Sequence, residues 1–135
     1  ALAWLEKYSV QLGIHSPGQF FWGSGALSSV LDNAPTYLNF LSAAQGLFYS
    51  GSAVPGNSGV AALLADHSNY ILAISVGSVF FGAMTYIGNG PNFLVKAIAD
   101  KTNVKMPSFF GYVFKYSVPV LVPVFVLIWY VFFRI

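Results

Sequence analysis

Cysteine is absent from this chain, and with it go disulfide frameworks, thiolate metal sites and thiol nucleophiles. Charge is nearly as scarce. Six Lys/Arg and four Asp/Glu make up 7% of the 135 residues, against roughly 25% in an ordinary soluble domain. So few charges cannot cover a surface. With 56% hydrophobic residues and a mean hydropathy of +0.67, the chain requires lipid as the solvent for much of it. No nucleophile–base pair, phosphate-cradling loop or cluster of metal ligands is spaced for catalysis, so an enzyme is not expected. The net charge of +2 points to no acidic partner, and no nucleic-acid partner is expected. The opening ALAWLEKYSV has neither an initiator Met nor the pattern of a signal peptide, and reads as the continuation of a longer protein.

What the chain does contain is a series of apolar stretches interrupted by helix breakers, which predicts an all-α membrane protein. Residues 1–16 read as a short interfacial helix, with Leu2, Leu5, Val10 and Leu12 apolar around Glu6 and Lys7. Ser16 is a fair N-cap and Pro17 a fair first helical residue. Residues 17–49 form two apolar arms, each roughly 22 Å long at about 1.5 Å per residue, too short for a hydrocarbon core of about 30 Å. A re-entrant hairpin with Asp32–Pro35 at its buried tip is therefore predicted. Residues 50–69 read as an external loop with a short helix, and 70–101 as a discontinuous transmembrane helix broken at GNGPN (88–92). Lys101, Lys105 and Lys115 mark 102–115 as a cytoplasmic loop by the positive-inside rule. A final transmembrane helix over 116–135, anchored by Trp129 and Tyr130, then leaves the C-terminus outside.

Broken backbone at membrane depth survives only where protein or water surrounds it, so two breaks in one short chain point to a cavity. Half-helix N-termini attract anions, and unwound carbonyls attract cations. The candidate ion or substrate residues are Ser29, Asp32, Asn33, Pro35 and Thr36 at the first break. At the second they are Thr85, Gly88, Asn89, Gly90 and Asn92. A Na⁺ ion would be held by Asp32, Asn33 and Asn89. Blander readings stand beside these: Asp32–Asn33 as a water-exposed cap before Pro35, GNGPN as an ordinary external loop, and Lys96 as a snorkelling lysine. Asp66, His67 and His15 read as surface residues. The many aromatic residues read as lipid-facing and packing groups.

Two stretches, FFWGSGALSSVLDNAPTYLNF and GAMTYIGNGPNFLVKAIADKTNVKMPSFFGY, resemble the C-terminal half of transporters in the ion transporter superfamily. The closest branch is the NhaD/ArsB-like proteins, often labelled sodium/proton antiporters or citrate transporters. The resemblance runs from about Pro17 to the end. It implies the second half of an inverted-repeat transporter, each repeat carrying a hairpin and a discontinuous helix, with the unit moving against a scaffold. The family's Asp-Asn-x-Pro motif falls on Asp32, Asn33 and Pro35, and its Gly/Asn-rich break on Gly88, Asn89, Gly90 and Asn92. GNGPN departs from the Gly-Ser-Ala type of break, which leaves the transported species open.

The function expected first is secondary active transport by Na⁺/H⁺ antiport, with Na⁺ or H⁺ as coupling ion and no cofactor. A cation-coupled organic acid or oxyanion transporter is the first alternative, with the solute received near Thr36 and Asn92. A non-transporting membrane subunit of a larger complex is the second. Expected partners are the lipid bilayer, the missing N-terminal half of the same transporter and a second copy in a homodimer. The expected location is the bacterial inner membrane, with a periplasmic C-terminus.

Overall fold

A computed structural model describes Gln11, residues 13–49 and residues 56–134. Most of the interfacial helix predicted over 1–16, and the start of the loop at 50–69, lie outside these residues. All regular structure among the described residues is helical. Helix α1 (Pro17–Ser28) opens with a reciprocal cap: Ser16 Oγ accepts from Gln19 N, and Gln19 Oε1 accepts from Ser16 N. Pro17 occupies the first turn, where its missing N–H costs nothing. The chain turns through Ser29–Asp32 into α2 (Asn33–Tyr49).

Helix α3 (Gly56–Asp66) is followed after a single residue, His67, by α4 (Ser68–Phe80). The two helices are bent by 101° at that point. The His67 ring lies flat on Phe48, with centroids 3.7 Å apart. A tight 3₁₀ turn, Phe81–Met84, ends α4, and the chain then runs irregularly until α5 (Gly90–Lys101). The break thus spans Thr85–Asn89, earlier than the 88–92 predicted. Asn89 Oδ1 accepts from Asn92 N as an N-cap, and Pro91 sits in the first turn, so the Gly-Pro pair starts a helix instead of interrupting one. Asn103, in the left-handed region at φ 58°, closes α5, with Val104 N donating to Ala99 O.

The last helix runs unbroken over Phe109–Phe133, 25 residues, with a mean hydropathy of 2.1 over its most apolar 18. It is the one helix among the described residues long and apolar enough to cross a membrane unaided. It starts seven residues before the predicted Tyr116, because Ser108 Oγ accepts from Gly111 N and nucleates the turn ahead of the lysine. Within it, α6 (Phe109–Tyr112) and α7 (Val118–Ile128) are joined by a wide π turn, Val113–Ser117, and a second π turn, Trp129–Phe133, follows. The first π turn precedes Pro119, whose ring crowds the carbonyl four residues back and lacks an N–H to bond it.

The core lies between α1 and α4. A Cβ on Gly77 would stand 2.5 Å from both the Phe21 carbonyl oxygen and Ser24 Oγ, so the two backbones meet at a distance only glycine allows. Phe20, Phe21, Ile74, Ala73 and Phe81 are buried along this seam. The last helix joins it through aromatic rings: Phe125 stacks on Phe81 at 4.1 Å and Phe133 on Phe21 at 5.2 Å. The second π turn slows the rotation per residue, returning Phe133 to the side that Phe125 faces.

Candidate functional site

The hairpin turn and the break in the second element meet at one crossing. Thr85 Oγ1 donates to the Ser29 carbonyl at 2.5 Å, joining the two irregular segments directly. Ser28 Oγ donates to the Ser78 carbonyl on α4. Asn33, the first residue of α2, points its side-chain amide into the same spot. Its nitrogen faces three oxygens: Ser28 Oγ at 2.7 Å, the Ser78 carbonyl at 2.9 Å and the Gly88 carbonyl at 3.1 Å. The reverse orientation would set a carbonyl oxygen against two others.

The second asparagine of the crossing belongs to α5. Asn92 Nδ2 donates to the carbonyls of Gly82, at 3.0 Å, and Thr85, at 3.2 Å. Gly82 lies between the two elements: a Cβ there would stand 2.7 Å from the Asn33 amide and 3.2 Å from the Asn89 Nδ2. A Cβ on Gly88 would meet the Gly82 carbonyl oxygen at 2.6 Å, because the break folds the chain back on itself. The carbonyls that the break frees from helical bonding at Ser78, Gly82, Thr85 and Gly88 are thus taken up by side-chain donors.

Of the residues predicted from sequence, the structure brings Ser29, Asn33, Thr85, Gly88, Asn89 and Asn92 together. Thr85 and Gly88 are buried, and Asn33, Asn89 and Asn92 half-buried. Asp32 is exposed and precedes α2, its Oδ1 accepting from Asn33 N at 2.8 Å. Thr36 is buried, with Oγ1 donating to the Asp32 carbonyl at 3.0 Å. Pro35 and Gly90 are exposed. Lys96 pairs with Asp100 one turn on and lies over the Tyr86 ring, 5.7 Å from its centroid.

Ser78 and Gly82 were missed in the sequence reading. They are four residues apart in the apolar run YILAISVGSVFFGAM, and that helical spacing of small residues was the available signal. Beside Asn33 and Ser78 a cleft of about 480 Å³ opens between α2 and α4, lined otherwise by Ala34, Tyr37, Leu38, Ser75 and Val79. The site itself is built from neutral donors and two helix starts, α2 at Asn33, where the Asp32 carboxylate bonds the first N–H, and α5 at Gly90, capped by the Asn89 side chain. Helix starts carry partial positive charge, and amides and hydroxyls can donate to carboxylates or turn their oxygens to a cation.

A family model described as "Putative citrate transport" matches residues 1–133 of the chain. No curated protein and no solved structure matches it.

Proposed function

The chain belongs to this family of transport proteins, and on that premise we propose that the crossing of the hairpin with the broken helix is the solute site of a cation-coupled organic acid transporter. One observation carries the reading. Two helix N-termini and three asparagine amides converge where, among the described residues, no lysine or arginine side chain takes part in the hydrogen-bonding and the one carboxylate, Asp32, is exposed at the edge and bonds Asn33 N. Such a site favours an anion through dipoles and neutral donors without the desolvation cost of a buried fixed charge. Asn33, Asn92, Ser29 and Thr85 donate to backbone carbonyls and the Ser28 hydroxyl in this state, and would exchange those bonds for bonds to the carboxylate oxygens when the solute enters. The arms suit a re-entrant placement: α1 and α2, of 12 and 17 residues, reach only about 18 and 25 Å at 1.5 Å per residue. An inverted repeat from the rest of the protein would face the crossing from the other side.

Cation/proton exchange is the second reading, and the observation that favours it is Asp32: its carboxylate is exposed at the hairpin turn, next to Asn33. The experiment that separates the two is uptake of labelled citrate by the full-length protein in proteoliposomes, with a Na⁺ or a proton gradient imposed. Parallel vesicles without citrate report Na⁺-driven pH change. Gradient-driven uptake that falls at least tenfold in Asn92→Ala supports the solute site. Na⁺-driven pH change without citrate, lost in Asp32→Asn, supports exchange instead.

A further inference from the structure

At the far side of the break, a basic and aromatic belt surrounds the start of the last helix. Tyr86, in the break, stacks on Tyr112 at 4.3 Å, and Tyr112 on Tyr116 at 6.5 Å. A lysine closes each end of this ladder: Lys96 over Tyr86, and Lys115 over Tyr116 with Nζ 5.8 Å from the ring centroid. Lys101 and Lys105 lie on the segment that joins α5 to the last helix, both exposed. Asp100 is the acidic residue of this stretch, and it is taken by Lys96. Lys101, Lys105 and Lys115 have no ion pair among the described residues.

Directly above the ladder, a crevice of about 250 Å³ runs along the last helix toward its apolar middle. Tyr112, Tyr116, Ser117, Val120 and Leu121, in that order along the helix, line it together with Ala83. Ser117 is 2% exposed, and its Oγ has no hydrogen-bond partner. A buried hydroxyl without a partner is costly, and most find one in protein or ordered water, so Ser117 Oγ stands free to donate to a group that enters the crevice.

We propose that this end of the last helix is a binding site for one anionic phospholipid. Positive charge sits at the level of the headgroup, the Tyr116 and Ser117 hydroxyls at the level of the glycerol esters, with the Tyr112 hydroxyl held by the Ala83 carbonyl and that of Tyr86 by the Pro107 carbonyl, and an apolar crevice where an acyl chain begins. That order of charge, polar belt and hydrocarbon follows one lipid from its phosphate inward, and it lies along the one described helix able to span a membrane. Free phosphate or a citrate ion would use the lysines but not the crevice. The proposal does not depend on which solute the crossing carries.

The test is native mass spectrometry of the full-length protein in detergent, titrated with phosphatidylglycerol and phosphatidylcholine of the same acyl length. Retention of one phosphatidylglycerol in preference to phosphatidylcholine is expected. Lys105→Gln with Lys115→Gln should weaken it about 30-fold, at roughly fivefold per lysine near a charged lipid surface. Ser117→Ala should weaken it about threefold to tenfold, the span of one hydrogen bond. Far-ultraviolet circular dichroism should be unchanged, since both lysines are exposed. Equal retention of the two lipids, or wild-type retention by the double lysine variant, overturns the proposal. So does displacement of the lipid by inorganic phosphate beyond that by chloride at matched ionic strength, which would make the lysines a site for free anions.

Discussion

The crossing and the last helix are assembled by opposite means. At the crossing, small residues bring backbones together and side-chain amides and hydroxyls bond the carbonyls that the break exposes. The last helix keeps its backbone bonds to itself, exposes Val120, Leu127, Val131 and Phe132, and touches the remainder largely through rings stacked at Phe81 and Phe21. A helix can leave apolar side chains facing lipid at no cost, whereas irregular backbone must find partners within the protein. Specific geometry is therefore concentrated at the crossing, and the last helix needs only hydrophobicity and a few anchoring rings.

Substitutions that reverse one side of this contrast test it. The largest effect is expected at Asn33→Asp, which changes a donor facing three oxygens into a carboxylate facing the same three. At this half-buried position, a charged acceptor set against acceptors costs on the order of 3 kcal/mol. Thermal unfolding of the detergent-solubilised protein should show this as a loss of the folded transition, and a variant as stable as the parent would remove Asn33 from the crossing. Gly77→Ala should cost about 1–3 kcal/mol, because the added methyl meets the Phe21 backbone, which cannot move aside. Gly90→Ala is its control, since a Cβ there meets nothing within 4 Å. Smallest is Phe132→Ala on the exposed face of the last helix, expected within about 0.5 kcal/mol of the parent. A penalty there comparable with that of Gly77→Ala would show that protein, not lipid, covers that face.

Much of the local structure was legible in the sequence because it follows from single residues. Ser16 and Pro17 start α1, whereas the turn between the arms falls at Ser29–Asp32, earlier than the Asp32–Pro35 tip predicted, because Asn33 already opens α2 and Pro35 sits in its first turn. Pro91 and the asparagines around it were legible as a discontinuity but not in polarity: the same residues that forbid continuing one helix are those that begin another. The start of the last helix was misplaced by about two turns, since a lysine in the sequence reads as loop while Lys115 here sits exposed on a helix flank with its ammonium over the Tyr116 ring.

Which breaker side chains meet was less legible. Asp32 and Asn33 are neighbours on the chain, and their order gives no preference for the one that enters the crossing. The choice depends on how α1 and α4 are rotated against each other, and that rotation is imposed by Gly77 against Phe21 and Ser24, more than fifty residues away along the chain.

By itself the sequence determined the solvent, the helical class and the places where helices must start and stop, because hydropathy, prolines, glycines and caps act over a few residues. Only the tertiary structure decided that the two breaks face each other, that Asn33 and not Asp32 fills the space between them, and that Ser78 and Gly82 complete the site. Those outcomes depend on the close approach of helices far apart in the chain, where a single Cβ is enough to forbid the contact.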